Sequence, residues 1–292
     1  MSTRISFRAL GFRAVGAAAA MAVMAAAAPA GAQQNLGRND MSWRWDGQVG
    51  NGQWLRVFNV NGAMNVTASS DGNVHVRAEK RAREGGDPTS VHFAVERDGN
   101  GVSVCALWTD DATCDEGGPH GNNIHSDMWN RRQNVEVVFQ VQVPAGVRAS
   151  MNTVNGELNI TRVAGEVMAR TVNGGVQVRD VGAAVNARTV NGDVRVDTRG
   201  GPVSAETVNG SIDATMASQG SSDMRFRSVN GGIDINAPDA LNADVELSTV
   251  NGSIDSKYSL NYDRRRRHAE GTVGRGGPRL LAATVNGSVT LH

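Results

Sequence analysis

Val185-Asn186-Ala187-Arg188-Thr189-Val190-Asn191-Gly192-Asp193-Val194-Arg195-Val196 is one unit of a pattern that fills the C-terminal half of the chain. Its centre, Thr-Val-Asn-Gly, recurs with Asn155, Asn173, Asn191, Asn209, Asn230, Asn251 and Asn286 as the third residue, and only Ser228 replaces a Thr. The steps between copies are 18, 18, 18, 21, 21 and 35 residues. A period near twenty marks an architecture of stacked units. On either side of each corner, apolar residues alternate with polar ones. Val185 and Ala187 precede the corner at Asn191, and Val194 and Val196 follow it. That is strand, tight turn, strand, with one apolar face.

Two topologies satisfy the pattern. In an antiparallel meander each Asn-Gly would be a hairpin turn, and successive corners would not touch. In a solenoid each unit is one coil, and each corner lies about 4.8 Å above the last. Only the solenoid gives neighbouring corners a reason to be alike. Asn side chains can then hydrogen-bond up the stack, Thr and Val can stack beside them, and Gly supplies a positive φ. The extra residues in the longer steps all fall away from the corners, as a ladder that cannot slip requires. The expectation is an all-β, parallel β-helix-like solenoid of about seven 18–21-residue coils, spanning residues 146–292 and roughly 34 Å long.

Residues 33–145 read as an irregular β-rich region. Asn59-Val60-Asn61-Gly62 is a degenerate first corner, Asp98-Gly99-Asn100-Gly101 is a hairpin signal, and Val135 to Val143 is a strand stopped by Pro144. Residues 109–132 are polar and Gly-rich and read as a loop. Residues 1–32 have the form of a signal peptide: Arg4, Arg8 and Arg13, an Ala-rich apolar run, then Ala30-Gly31-Ala32. The run is too short to span a bilayer comfortably, and no later stretch is long and apolar enough. The expected location is therefore outside the cytoplasm, in the periplasm, at the cell surface or secreted.

An exported chain with alternating strands, a Val143-Pro144 step and repeated Thr-Val-Asn-Gly units resembles the bacterial putative adhesin family of β-strand-repeat envelope proteins. The likeness covers roughly residues 53 to 292. It implies a solenoid-like exported domain without established catalysis and supplies no catalytic residues. The long Tyr258 to Pro278 insertion and the Cys-containing loop depart from the plain pattern.

The chain has 29 basic and 29 acidic side chains; three of the basic ones lie in the leader, leaving an excess of three acids. That balance argues against general nucleic-acid binding. Cys105 and Cys114 are the only cysteines, and outside the cytoplasm they most simply close one disulfide. A metal site with His120 and His125 is the alternative, though the spacing matches no usual zinc pattern.

Stacking turns equal offsets into columns. Three residues past each corner Gly the column reads Asn159, Gln177, Arg195, Asp213, Asp234, Asp255, Thr290. Three consecutive carboxylates would repel by about 0.9 kcal/mol per adjacent pair in water, which a Ca²⁺ held by Asp213, Asp234 and Asp255 would relieve. An exposed stripe screened by salt is the simpler reading. Arg264, Arg265, Arg266 and Arg267 in the long insertion could grip anions of envelope polymers, or be a solvated mobile loop. No nucleophile elbow, zinc helix or phosphate loop occurs. The expected function is a non-catalytic, adhesin-like binding or scaffolding module, without cofactors, whose partner is an envelope polymer or another envelope protein. A polysaccharide-active enzyme using Arg195 and the Asp stripe is the alternative. The last copy, ending in Val289-Thr290-Leu291-His292, has no polar cap, so association end to end is open to it.

Overall fold

The computed structural model describes residues 33–83, 85–121 and 134–292. The expected leader at 1–32 and His125 lie outside the described residues.

Each Thr-Val-Asn-Gly corner carries the chain between two long sheets of thirteen and eleven strands. The larger sheet holds the strands before the corners. Trp54–Phe58, Arg148–Asn152, Val167–Arg170, Val185–Arg188, Val203–Glu206 and Met224–Arg227 pair in parallel, equivalent residue to equivalent residue. The smaller sheet holds Met64–Ala68, Leu158–Thr161, Val176–Val181, Val194–Thr198, Ile212–Met216 and Ile233–Asn236, paired likewise. Thus the repeats form a solenoid, not a meander. The alternating apolar residues of both strands point between the sheets and are buried in one continuous core, from Leu158 and Val167 to Val289 and Leu291. Degenerate Asn61 belongs to the same column, so the stack has eight coils rather than seven.

The corner is explained residue by residue. Every Asn from Asn155 onward donates its Nδ2 to the Oδ1 of the Asn in the coil before it, at 2.7–2.8 Å. All seven bonds point the same way, so they polarise one another. The corner Thr does more than stack. It is buried, and its hydroxyl donates to the Gly carbonyl of the preceding coil, as Thr189 does to Gly174 at 2.8 Å. Gly is required for two reasons. At Gly174 φ is +145°, the backbone region expected from the sequence. At Gly231 the reason is close approach, since a Cβ there would sit 1.9 Å from the Gly210 carbonyl oxygen.

The order of the last coils departs from expectation. After the Asn230 coil the chain skips a rung and lays down Ala243–Asn251 and Ile254–Ser256. It then turns through Asn261–Tyr262 and His268–Val273, which pair antiparallel beyond Ala243–Asn251. Only then does it return, placing Arg279–Asn286 and Val289–Leu291 in the vacant rung. The spatial order of the ladder is Asn209, Asn230, Asn286, Asn251. The final copy is therefore interior: Val289 and Leu291 are fully buried, and His292 N donates to Ile235 O at 2.8 Å. The expectation of an uncapped terminal coil fails for this reason. The long insertion caps the stack instead.

At the other end, parallel pairing gives way to antiparallel strands. In the larger sheet, Trp54–Phe58 pairs with Gly101–Leu107, followed by His92–Asp98 and Gln33–Leu36. The hairpin read at Asp98–Gly101 is there. In the smaller sheet, Met64–Ala68 pairs with Val135–Val143, then Val74–Ala82 and Ser42–Gly47. Aromatic rings fill this end. Trp43 stacks on Phe93 at 4.7 Å, and Phe93 meets Phe139 edge-on at 6.1 Å. Lys80, only 1% exposed, donates to the carbonyls of Gly37, Arg38 and Pro88 at 2.7–3.0 Å. Burial lowers the pKa of its ammonium. Across the larger sheet, thirteen strands at about 4.8 Å make a body about 58 Å long.

Candidate functional site

What the stack can do is set by its outward rows, because each outward residue sits over its equivalent in the next coil. The corner valines form one row. Val154, Val172, Val190, Val208, Val229 and Val285 are each 38–39% exposed, whereas Val250, with a valine on one side only, is 54% exposed. Along this row runs a groove of about 610 Å³, walled by Val190, Val208, Val229 and Val285 and rimmed by Arg170, Arg188, Glu206 and Arg227. These rim residues are direct register partners on successive strands. Arg188 pairs with Glu206 at 3.4 Å. Arg170 and Arg227 make no ion pair among the described residues.

On the outer face of the smaller sheet the column read from sequence changes. The structural order is Asn65, Asn159, Gln177, Arg195, Asp213, Asp234, Thr290, Asp255. Because the last copy returns to fill the skipped rung, Thr290 separates Asp234 from Asp255. Three carboxylates in a row do not exist, and the Ca²⁺ site postulated for Asp213, Asp234 and Asp255 loses its geometry. Asp213 is engaged by Arg195 at 3.2 Å, and Asp234 lies 3.2 Å from His292 Nε2. Among the described residues no group of three or more His, Cys, Asp or Glu is placed to hold a metal ion. One coil away, Ser211 donates its backbone N–H and its hydroxyl to Asp193 at 2.9 and 3.0 Å, and the backbone bond chiefly holds that carboxyl below its usual range.

Cys105 and Cys114 are joined by a disulfide, so the thiolates a metal site would need are consumed. The segment read as a loop contains a short hairpin, Thr113–Asp115 with Gly118–His120. It lies over Trp54, Arg56 and Phe58, which face outward because Leu55 and Val57 face the core. No motif in the sequence marks this outward trio. The alternation of Leu55 and Val57 was the available signal.

The four arginines are exposed, but their loop is an ordered turn. Asp263 accepts the N–H groups of Arg267 and His268 through Oδ1 at 2.6 and 3.2 Å, and Arg266 stacks over Tyr262 at 4.6 Å. The Arg267 and Arg266 carbonyls accept the N–H groups of Thr249 and Ile254. In the interior, coil after coil, the next unit supplies those acceptors. Arg266 and Arg267 therefore cap the stack beside Asn251, the last Asn of the ladder, while Arg264 and Arg265 stay exposed in the turn.

Among the described residues no helix is long and apolar enough to cross a membrane. No curated protein matches the chain in sequence. Two solved structures are similar over most of their length. One is a putative cell adhesion protein from Clostridium sporogenes ATCC 15579, with 9% identity over 86% of this chain and 98% of that one and a TM-score of 0.35. The other is a putative adhesin from Bacteroides fragilis NCTC 9343, with 12% identity over 86% and 95% and a TM-score of 0.39. Superpositions this loose transfer no residue or ligand. The family model of Toastrack DUF4097 matches residues 140–292, more than half of the chain and every coil of the stack after the Asn61 coil, and the chain belongs to that family.

Proposed function

We propose that this is an exported, non-catalytic cell-envelope protein that binds or scaffolds an extended partner in the manner of an adhesin. One observation carries the reading: a groove whose valine wall repeats rung after rung is rimmed by three arginines and a single acid, Glu206. A surface with translational order suits a partner with translational order, because each further unit of a linear polymer binds without a new association cost. The rim favours an acidic polymer, since guanidinium groups pair bidentately with carboxylates and phosphates. The excess of acids elsewhere disfavours nucleic acid.

The reading as a polysaccharide-active enzyme is weaker. Its stripe has lost Asp255 to the far side of Thr290, and Asp213 is tied up by Arg195. The test is co-sedimentation of the mature protein with isolated envelope polymers at low salt. Wild type should pellet with an acidic polymer without shortening it, and an Arg188→Ala/Arg227→Ala variant should pellet less. Equal pelleting of both proteins would contradict the groove reading. Shortening of the polymer by wild type but not by Asp213→Ala would establish the enzyme instead.

A further inference from the structure

We propose that the pocket beside the disulfide hairpin binds an acidic sugar ring, the carboxylate-bearing unit of a glycan. This rests on the binding reading above and names its anchoring subsite.

The pocket encloses about 320 Å³ on the outer face of the larger sheet, within the range of small-ligand sites. Its apolar walls are Trp54, Phe58 and Met168, brought together by adjacent parallel strands. Phe58 packs against the disulfide and the buried residues around it. Trp54 is held in place by Arg148, whose guanidinium stacks 4.0 Å from the ring and donates from Nε to Glu166 at 2.9 Å. Over the rings lies the hairpin fixed by the disulfide. Gly118 lets it close down, since a Cβ there would come within 2.9 Å of the Phe58 ring. Its tip is set by Asp115, which accepts the Gly117 N–H at 2.7 Å and lies 2.8 Å from His120.

The polar groups of the pocket fall along one side. Ser150 and Asn152 occupy successive outward positions of the next strand and bond each other at 3.2 Å. Arg56 is already matched, at 3.4 Å from Asp98 and 3.9 Å from Glu116. Arg170 is exposed and has no carboxylate among the described residues. The site therefore offers part-covered aromatic rings, hydrogen-bonding groups and, among the described residues, one cation without a carboxylate. A pyranose presents polarised C–H groups on one face, which suit the negative face of an aromatic ring, and hydroxyls at its edge. A carboxylate on that ring would complete Arg170. A purely apolar ligand would instead desolvate the donors and acceptors of Ser150 and Asn152 that their mutual bond leaves open. Beyond Arg170 the same row continues to Arg188, so the pocket seats one unit while the groove follows the rest.

The probes are digalacturonate and its neutral counterpart digalactose, titrated by calorimetry and by tryptophan fluorescence. Digalacturonate should bind at least about ten-fold more tightly than digalactose, and Arg170→Gln should remove about ten-fold. Trp54→Ala should remove a comparable factor, and reducing the disulfide should weaken binding while the strand circular dichroism persists. Arg170→Gln is a surface change and stands as the test if Trp54→Ala does not fold. Equal affinity for the two sugars, or unchanged affinity in Arg170→Gln, overturns the proposal. An Arg188→Ala/Arg227→Ala variant separates the two readings, because it should still bind the disaccharide. Polymer co-sedimentation without disaccharide binding refutes the pocket alone, and disaccharide binding without co-sedimentation refutes the groove alone.

Discussion

The repeat stack and the cap, built from Gln33–Leu36, Ser42–Gly47, Val74–Ala82, His92–Asp98, Gly101–Leu107 and Val135–Val143, share the same two sheets but are held in opposite ways. In the stack every coil makes the same bonds as the next, so stability is distributed along it. In the cap it is concentrated in singular features: the Trp43–Phe93 stack, the buried Lys80 ammonium and the disulfide. Periodic order tolerates the loss of one side-chain bond and resists any intrusion into its spacing. Singular order behaves the other way round.

One substitution made in both regions gives the largest contrast. Gly231→Ala forces a Cβ against the Gly210 carbonyl, and a backbone clash inside the ladder should cost about 3 kcal/mol or more. Gly72→Ala, with nothing within 4 Å, should change stability by about 0.5 kcal/mol at most. Denaturant melts of the two variants compare them directly, and similar losses would break the distinction. Next comes Lys80→Met. Three carbonyls lose a charged donor, a cost of about 2–4 kcal/mol. Hydrogen exchange should then quicken across 37–98 while amides near Asn191 stay protected.

Asn191→Ala removes two ladder bonds of a series of seven and should cost about 1–2 kcal/mol. A replacement in the middle of the ladder should matter more than one at Asn251, which makes a single ladder bond. Equal effects at the two positions would argue against a cooperative ladder.

The smallest effect is electrostatic and lies in the cap. The His75 ring bonds first to Asp46 and then to Asp71, which raises its pKa above the ordinary 6.5. Asp71 is lowered to about 2, chiefly by the Asn73 N–H and then by His75. A raised histidine stabilises the fold below its unfolded pKa, and that contribution is lost as pH rises through its folded value. The lowered carboxyl contributes above 3.8 and loses its contribution as pH falls towards about 2. The cap should therefore be tightest between about pH 4 and 6.5, read by exchange at Ser42–Gly47, and His75→Gln should flatten the alkaline side.

The sequence made the corners and inward columns legible because each position is stated seven times, and Val167 with Val185, or Ile212 with Ile233, confirm one another. The order of the last two coils was illegible for the same reason. Copies that are alike can exchange places, and nothing in Thr249–Gly252 or Thr284–Gly287 says which is outermost. A signal did exist inside the insertion: Ala269, Gly271 and Val273 alternate as a strand, and a strand there covers an otherwise open edge. The pocket was hidden because it depends on pairing across distant segments. Trp54, Met168 and Glu116 become neighbours only once Arg148–Asn152 has docked on Trp54–Phe58. The disulfide was readable from the presence of just two cysteines at short spacing, but not what it holds in place.

Cross-linking across the outer face of the smaller sheet tests the interleaved stack most directly. Neighbouring strands place equivalent residues about 4.8 Å apart, within reach of a disulfide, whereas alternate strands exceed the limit of about 7 Å between Cα atoms. An Asp234→Cys/Thr290→Cys protein should form the new bond readily, and Asp234→Cys/Asp255→Cys should remain reduced at those positions. The opposite outcome would mean that the coils stack in chain order and that the final copy is the exposed end.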